Sequence, residues 1–216
     1  MKIFKLIIFI IFSTNSIFAK KIDSKKYIKN LYKNTSGFSI PQKDREYVNK
    51  YGSAVYGEIT YDSLKILLDD LKPKTSDVFY DLGSGVGKVT VQATLDYKFK
   101  KAFGIELSRN RHLKAEKIRA KLKKAKKIKS HHNLFFKHED ISKTNLKSAT
   151  IIFMCSTCFP KNLMEKLAKN FAKLRKKTKI LTLKKLPENK KLQLLKTYNL
   201  EMTWSKNVTV YLYQKI

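Results

Sequence analysis

Asp81-Leu82-Gly83-Ser84-Gly85-Val86-Gly87 stands between an apolar run, Asp77-Val78-Phe79-Tyr80, and a helix-forming stretch from Lys88 to Tyr97. Strand, glycine loop and helix in that order make a ligand-cradling turn. Residues without a Cβ reach unusual backbone angles and let the chain approach a ligand closely. A P-loop would need glycine where Leu82 stands and Ser or Thr where Val89 stands, so that reading fails. A dinucleotide fingerprint would bring its third glycine one residue later than Gly87.

The early Gly87, with an acid at Asp81 two residues before the first glycine, favours S-adenosylmethionine over a dinucleotide. That molecule has no pyrophosphate to neutralise, and its charged amino group is one a carboxylate can face. A glycine turn without a ligand is the plain alternative. Glu106 ends the next strand, 23 residues after Gly83, close to the roughly 20 at which a carboxylate meets ribose hydroxyls in such sites. Asp140 follows the third strand, where it can accept from an adenine amino group or cap whatever comes next.

Outward from the loop the chain alternates. Lys101 to Glu106, Leu134 to His138, Thr150 to Met154 and Lys179 to Leu183 read as further strands; Ser108 to about Lys129 and Pro160 to about Leu174 read as helices. Upstream, Leu64, Leu67, Leu68 and Leu71 give Tyr61 to Leu71 one apolar helix face, ended by Pro73. Leu200 to Trp204 and Val208 to Tyr213, split by Ser205-Lys206-Asn207, read as a closing hairpin. The expected fold class is α/β: a Rossmann-like, seven-stranded sheet, mostly parallel with a C-terminal antiparallel hairpin, as in the class I methyltransferases whose glycine loop this one resembles.

The 216 residues are 43% apolar and 30% charged, enough for one core and too ordered in pattern for a disordered polymer. Lys and Arg number 47 against 17 Asp and Glu, a formal +30, yet only five of the cations are Arg. The excess therefore reads either as a solvated lysine coat of AT-rich coding or as a surface for acidic partners such as nucleic acid or chromatin, salt-sensitive and blind to sequence.

Met1 to Ala19, with Lys2, Lys5 and the run Leu6 to Phe12, reads as a secretory signal peptide. The run is shorter than a spanning helix needs. Organisation is then a signal peptide (1–19), an N-terminal helical arm or lid (20–60) and a methyltransferase domain (61–216). Export to the periplasm or medium is the expectation, with a membrane anchored by an uncleaved leader as the alternative and no permanent span otherwise. Cys155 and Cys158 could pair in an oxidising compartment, or form a thioredoxin-like motif. His112, His131, His132 and His138 lack metal-ligand spacing with them, so no metal is expected.

Val55-Tyr56-Gly57-Glu58, then the glycine loop, then Gly104-Ile105-Glu106, resembles the non-SET histone lysine methyltransferases, the disruptor of telomeric silencing family. Ile151-Ile152-Phe153 with Phe159 is similar to that family's fourth-strand motif, and Trp204, Val208 and Tyr211-Leu212 to its closing hairpin. The resemblance runs from about Tyr51 to the end. It implies a transferase that moves methyl from S-adenosylmethionine to a protein lysine. Glu58, Asp81, Gly83, Gly85, Gly87, Glu106 and Asp140 would hold the cofactor. Tyr56 and Phe159 would line the acceptor channel, with no general base. Cys155-Ser156 replaces the family's paired Asn, and Val210 stands for the hairpin's inner Tyr; by the resemblance both positions help shape the channel. A nucleic-acid methyltransferase and a non-catalytic cofactor- or polyanion-binding module are the competing readings.

Overall fold

Val78–Leu82 (β1) is buried at every position, as a strand paired on both edges and covered on both faces must be. In the computed structural model, which describes residues 23–128 and 133–216, β1 pairs in parallel with Lys101–Glu106 (β2), and β2 with Leu134–His138 (β3). On its other edge β1 pairs with Ile151–Met154 (β4), and β4 with Lys179–Thr182 (β5), again in parallel. Leu192–Met202 (β6) and Ser205–Lys215 (β7) complete the order β3-β2-β1-β4-β5-β7-β6, with β7 antiparallel to both neighbours. This is the mostly parallel, seven-stranded α/β sheet the sequence predicts.

The chain leaves β1 for β2 and β3 and then crosses back to β4, so the order reverses between β1 and β4. Open α/β sheets bind ligands at the carboxyl ends of strands beside such a reversal. The glycine loop follows β1 and Cys155 follows β4, which brings both to that place.

Among the described residues six helices flank the sheet: Ser24–Leu31 (α1), Gln42–Tyr51 (α2), Tyr61–Leu71 (α3), Lys88–Asp96 (α4), Arg109–Lys124 (α5) and Lys161–Phe171 (α6). In α3 the four leucines are buried, Thr60 caps the start by accepting from Ser63 N, and Lys72 leaves helical angles at φ 47°. Each solution follows from local chemistry: an i, i+3, i+4, i+7 face, a hydroxyl for an orphan amide, and a left-handed exit. In α5, Ser108 caps the start, and Ala115, Ile118 and Leu122 face the core. The helix stops at Lys124 rather than Lys129 because Lys126 turns left-handed at φ 53°.

The closing hairpin differs most from its sequence reading. Its strands are 11 residues each, its turn is Thr203-Trp204, and Ser205-Lys206-Asn207 lies within β7. The edge strand β6 is exposed along Gln193 to Thr197, so apolar alternation, the signal for a half-buried strand, is missing there. The leader, His131 and His132 fall outside the described residues. Among the described residues no helix is long and apolar enough to cross a membrane, and no group of three His, Cys, Asp or Glu side chains is placed to hold a metal ion.

Candidate active site

Gly83, Gly85 and Gly87 all have positive φ, at 85°, 56° and 87°. These left-handed angles fold the loop back so that Gly83 N and Ser84 N both donate to Ile105 O at 2.9 Å. Gly85 N donates to Glu106 Oε2 at 2.7 Å, and Ser108 N to Glu106 Oε1 at 2.7 Å. Glu106 thus ties the loop after β1 to the entrance of α5. Burial pushes its carboxyl up, opposed by the Ser108 amide, the Arg111 guanidinium and the Gly85 amide.

Two cavities open around this loop. The larger, about 370 Å³, has Glu106, Asp140, Phe159 and Trp204 in its wall. The smaller, about 80 Å³, has Glu58, Asp81 and Lys88. Tyr56, Gly57, Gly83 and Cys155 line both, and so form the junction between them. Of the loop glycines, only Gly83 faces the cavities. A Cβ on Gly85 would meet the Tyr56 ring at 2.5 Å, and one on Gly87 the Phe136 ring at 2.4 Å, so those two serve close packing.

Asp81 is buried and accepts from Thr90 Oγ1 at 3.0 Å. Desolvation, against that hydrogen bond and with the nearby Glu106 charge, pushes its carboxyl up to about 7. A buried carboxylate in this state is suited to a cation arriving from outside. Glu58 has already found one: Lys88 Nζ lies 2.5 Å from its Oε2, and the Tyr56 hydroxyl donates to its Oε1 at 2.6 Å. Tyr56 is therefore held protonated, its hydroxyl pushed well above the usual range by burial and by Glu58.

Asp140 lines the larger cavity and also accepts from Ser142 N at 2.8 Å, capping a turn rather than a helix. Phe159 lies beside Gly83, where a Cβ would meet its ring at 3.1 Å. The sequence-predicted residues Tyr56, Glu58, Asp81, Gly83, Glu106, Asp140 and Phe159 are brought together on these walls. Ser156 and Val210 are not: Ser156 is buried against Thr182 Oγ1 at 2.7 Å, and Val210 packs with Leu64 and Leu181 in the core. Of the positions expected to shape a channel, Cys155 does line the larger cavity, and Thr157 and Cys158 line it beside Cys155. Both cysteines are free thiols.

Sequence reading missed three residues that hold the site. Arg111 donates to Gly37 O at 2.9 Å and Ala54 O at 2.7 Å, and its guanidinium lies 4.6 Å from the Tyr56 ring centre. A signal existed, since Arg111 precedes Ala115 by one helical turn on the buried face, in a chain with five arginines. Asp44 of α2 accepts from Ser108 Oγ, Arg109 N and Asn110 N at the start of α5. Lys88 pairs with a residue 30 positions away, which no local pattern announces. Through Arg111 and Asp44 the segment from Ser36 to Gly57 is pinned across α5, and its Val48, Tyr51 and Val55 roof the larger cavity.

The sequence model of the family described as "Histone methylation protein DOT1" matches residues 37–212. A histone-lysine N-methyltransferase, H3 lysine-79 specific, from Caenorhabditis elegans is 30% identical over 159 residues, covering 70% of this chain and 17% of its own length. Its Drosophila melanogaster counterpart is 26% identical over 155 residues, covering 67% and 8%. The chain thus spans less than a fifth of either relative. Among solved structures, an RNA methyltransferase from Salinibacter ruber in complex with S-adenosyl-L-homocysteine superposes with a TM-score of 0.55 at 22% identity, over 70% of this chain and 89% of that one. Magnesium protoporphyrin IX methyltransferase from Synechocystis PCC 6803, with bound SAM, gives 0.54 at 10% identity, over 90% and 98%. These likenesses are in fold.

Proposed function

The chain belongs to the DOT1 family of histone methylation proteins, and from that premise we propose that it is an S-adenosylmethionine-dependent protein-lysine N-methyltransferase. The observation that carries the reading is the junction of the two cavities at Tyr56, Gly57, Gly83 and Cys155. On one side lies a buried carboxylate suited to an ammonium, Asp81; on the other lies Glu106, whose oxygens each hold one backbone amide and keep further lone pairs for ribose hydroxyls. The residues fit the cofactor's two polar ends.

Bound there, the cofactor supplies an activated methyl group on a sulfonium. The protein's part is to position and to dry. Asp81 holds the amino-acid end, Glu106 the ribose, and Asp140 the adenine side. Tyr56 and Phe159 give the acceptor a desolvated wall, which lowers the pKa of an entering ammonium and favours its neutral, nucleophilic form. Tyr56 takes no proton, because its own is fixed on Glu58. In-line displacement then needs alignment more than a base.

The +30 charge supports contact with nucleic acid or chromatin as a second element of this reading, and the apolar leader supports export. N-terminal sequencing of the mature chain tests the latter: a start at Lys20 supports cleavage, whereas an intact Met1 on cytosolic protein overturns it. For the activity, the chain from Lys20 onward is offered radiolabelled S-adenosylmethionine with nucleosomes, free histones, lysate proteins, DNA or RNA in separate reactions. Label on protein lysines, lost with Glu106→Ala, is the expected result. Label on nucleic acid alone overturns it in favour of a nucleic-acid methyltransferase, and cofactor binding without any product favours a non-catalytic module.

A further inference from the structure

Because five strands run parallel and β6 runs with them, the sheet has two unlike edges. The carboxyl edge carries the cavities. At the opposite edge, each of the six connections that lead into β1 to β6 presents an exposed lysine: Lys74, Lys100, Lys126, Lys147, Lys176 and Lys190 in turn. Backbone contacts join the described ends of these connections side by side: Lys100 N donates to Asp77 O, Ala102 N to Asn133 O, Thr150 N to Val78 O, Lys179 N to Thr150 O, Lys177 N to Lys215 O and Ile216 N to Lys191 O. We infer that this lysine rim is a docking surface for the phosphodiester backbone of duplex nucleic acid, separate from the cavities at the other edge.

Three arguments support that assignment, which deepens the nucleic-acid element of the reading above but does not depend on methyl transfer. The first is placement. Three acids close to the rim are engaged, Asp70 with Lys196 and Tyr198, Asp69 with Lys65 and Tyr97, and Asp77 with Lys74 N, while Glu188 stands exposed beside Lys190. The second is backbone. The chain has three non-glycine residues at positive φ among those described, Lys72, Lys126 and Lys177, and all three lie on this rim. Such angles favour Gly or Asn; Asn would serve AT-rich coding equally well, so composition alone does not account for lysine there.

The third is shape. Strands about 4.8 Å apart set the six lysines along a row of roughly 30 Å. Neighbouring strands also rotate by about 20–25°, so the row winds rather than lying in a plane. A winding line of point charges suits a helical polyanion better than a flat anionic membrane, and lysine suits phosphates rather than base edges. Phe38, Val55 and Trp204, exposed apolar side chains that could insert into lipid, lie at the cavity end, while Ile216 is exposed where the rim meets β7.

The test is binding of a fluorescent 30-base-pair duplex of arbitrary sequence to the chain from Lys20 onward, by anisotropy across a salt series. Two triple variants are compared with it: Lys100→Gln/Lys126→Gln/Lys176→Gln on the rim, and Lys43→Gln/Lys161→Gln/Lys206→Gln elsewhere on the exposed surface. Thermal melting followed by circular dichroism reports whether each is folded. The rim variant should bind at least about tenfold more weakly near 0.1 M salt, with the slope of log K against log salt shallower by roughly 2–3. The other variant should match the parent. Equal losses in the two variants, no duplex binding by the parent, or rim-dependent capture by phosphatidylserine vesicles in place of the duplex would each overturn the inference. A parent that binds the duplex but no S-adenosylhomocysteine would overturn the methyltransferase reading and leave this one standing.

Discussion

Glu106 Oε2 accepts the amide of Gly85 at 2.7 Å across the gap between β2 and the loop after β1. One carboxylate therefore shapes the glycine loop and, in the proposed function, holds the ribose. Glu106→Gln keeps an acceptor for one amide, whereas Glu106→Ala leaves both the Gly85 and Ser108 amides without it. Hydrogen bonds to charged groups contribute about 1.5–3 kcal/mol, so S-adenosylhomocysteine affinity measured by calorimetry should fall roughly ten- to a hundredfold in the alanine variant. The glutamine variant should lose less. Equal affinity in all three proteins would remove Glu106 from the site.

Asp81 makes the site sensitive to pH. Its carboxyl is raised to about 7 by burial, well above its unfolded value, so the ligand-free fold loses stability as pH rises from about 4 to 7, where only the unfolded chain ionises. The ammonium of a bound cofactor needs the ionised form. Affinity should therefore climb as pH rises toward and through 7, approaching tenfold per pH unit below it. Calorimetry from pH 5.5 to 8.5 checks this, and Asp81→Asn should flatten both the binding profile and the stability slope. An unchanged profile in that variant would assign the titration elsewhere, Glu106 being the other raised carboxyl.

How far the sequence speaks can be judged from single residues. The leucines of α3 and the ends of β2 and β3 were legible because periodicity and burial coincide there. That Asp81, Gly83 and Glu106 meet beside the end of β1 was legible because their placement is set by distance along the chain. Lys88, Asp44 and Arg111 were not, since their partners Glu58, Ser108 and Gly37 lie 30 to 74 positions away and only the folded sheet brings them close. The hairpin turn was misplaced because Thr203 and Trp204, residues that favour strands, make it, and the start of β6 was missed because its exposed stretch Gln193 to Thr197 shows no alternation.

Gly85 is irreplaceable for two reasons that add. Its φ is 56°, and a Cβ would fall 2.5 Å from the Tyr56 ring, which Arg111 and Glu58 hold in place. Left-handed angles alone cost alanine roughly 1–2 kcal/mol, so Gly85→Ala should lower Tm by several degrees and weaken cofactor binding through a displaced Tyr56. Gly52, where the nearest atom is Val48 O at 3.7 Å, offers the contrast. Gly52→Ala should leave Tm close to the parent, and an equal loss of Tm in the two variants would refute the packing argument.

The roof over the larger cavity is held by two side chains. Arg111→Lys keeps the charge but cannot reach Gly37 O and Ala54 O with one planar fork. Asp44→Ala removes the acceptor for two amides and the Ser108 hydroxyl, a cap loss of about 0.5–2 kcal/mol. Both variants should show faster hydrogen exchange from Ser36 to Gly57 and faster release of S-adenosylhomocysteine, with the sheet unaffected. Faster exchange with unchanged release would mean that the segment covers the cavity without gating it.

Cys155 and Cys158 should differ sharply as nucleophiles although they line one cavity. Cys158 is exposed. Cys155 directs its thiol at Gly57 O, and burial, with the nearby Asp81, Cys158 and Glu58, pushes it up to about 12. Since the thiolate is the reactive form, Cys155 stays a thiol near pH 8, which also keeps it from competing for a methyl group at the junction. Iodoacetamide should therefore modify Cys158 alone in the folded protein and both after unfolding, as read by peptide mass spectrometry. Protein alkylated at Cys158 should lose transfer to a protein acceptor, because the adduct sits in the wall of the larger cavity next in sequence to Phe159. Equal labelling of the two cysteines would show Cys155 to be accessible and ionisable, and its thiolate would then stand as a rival acceptor at the reaction centre.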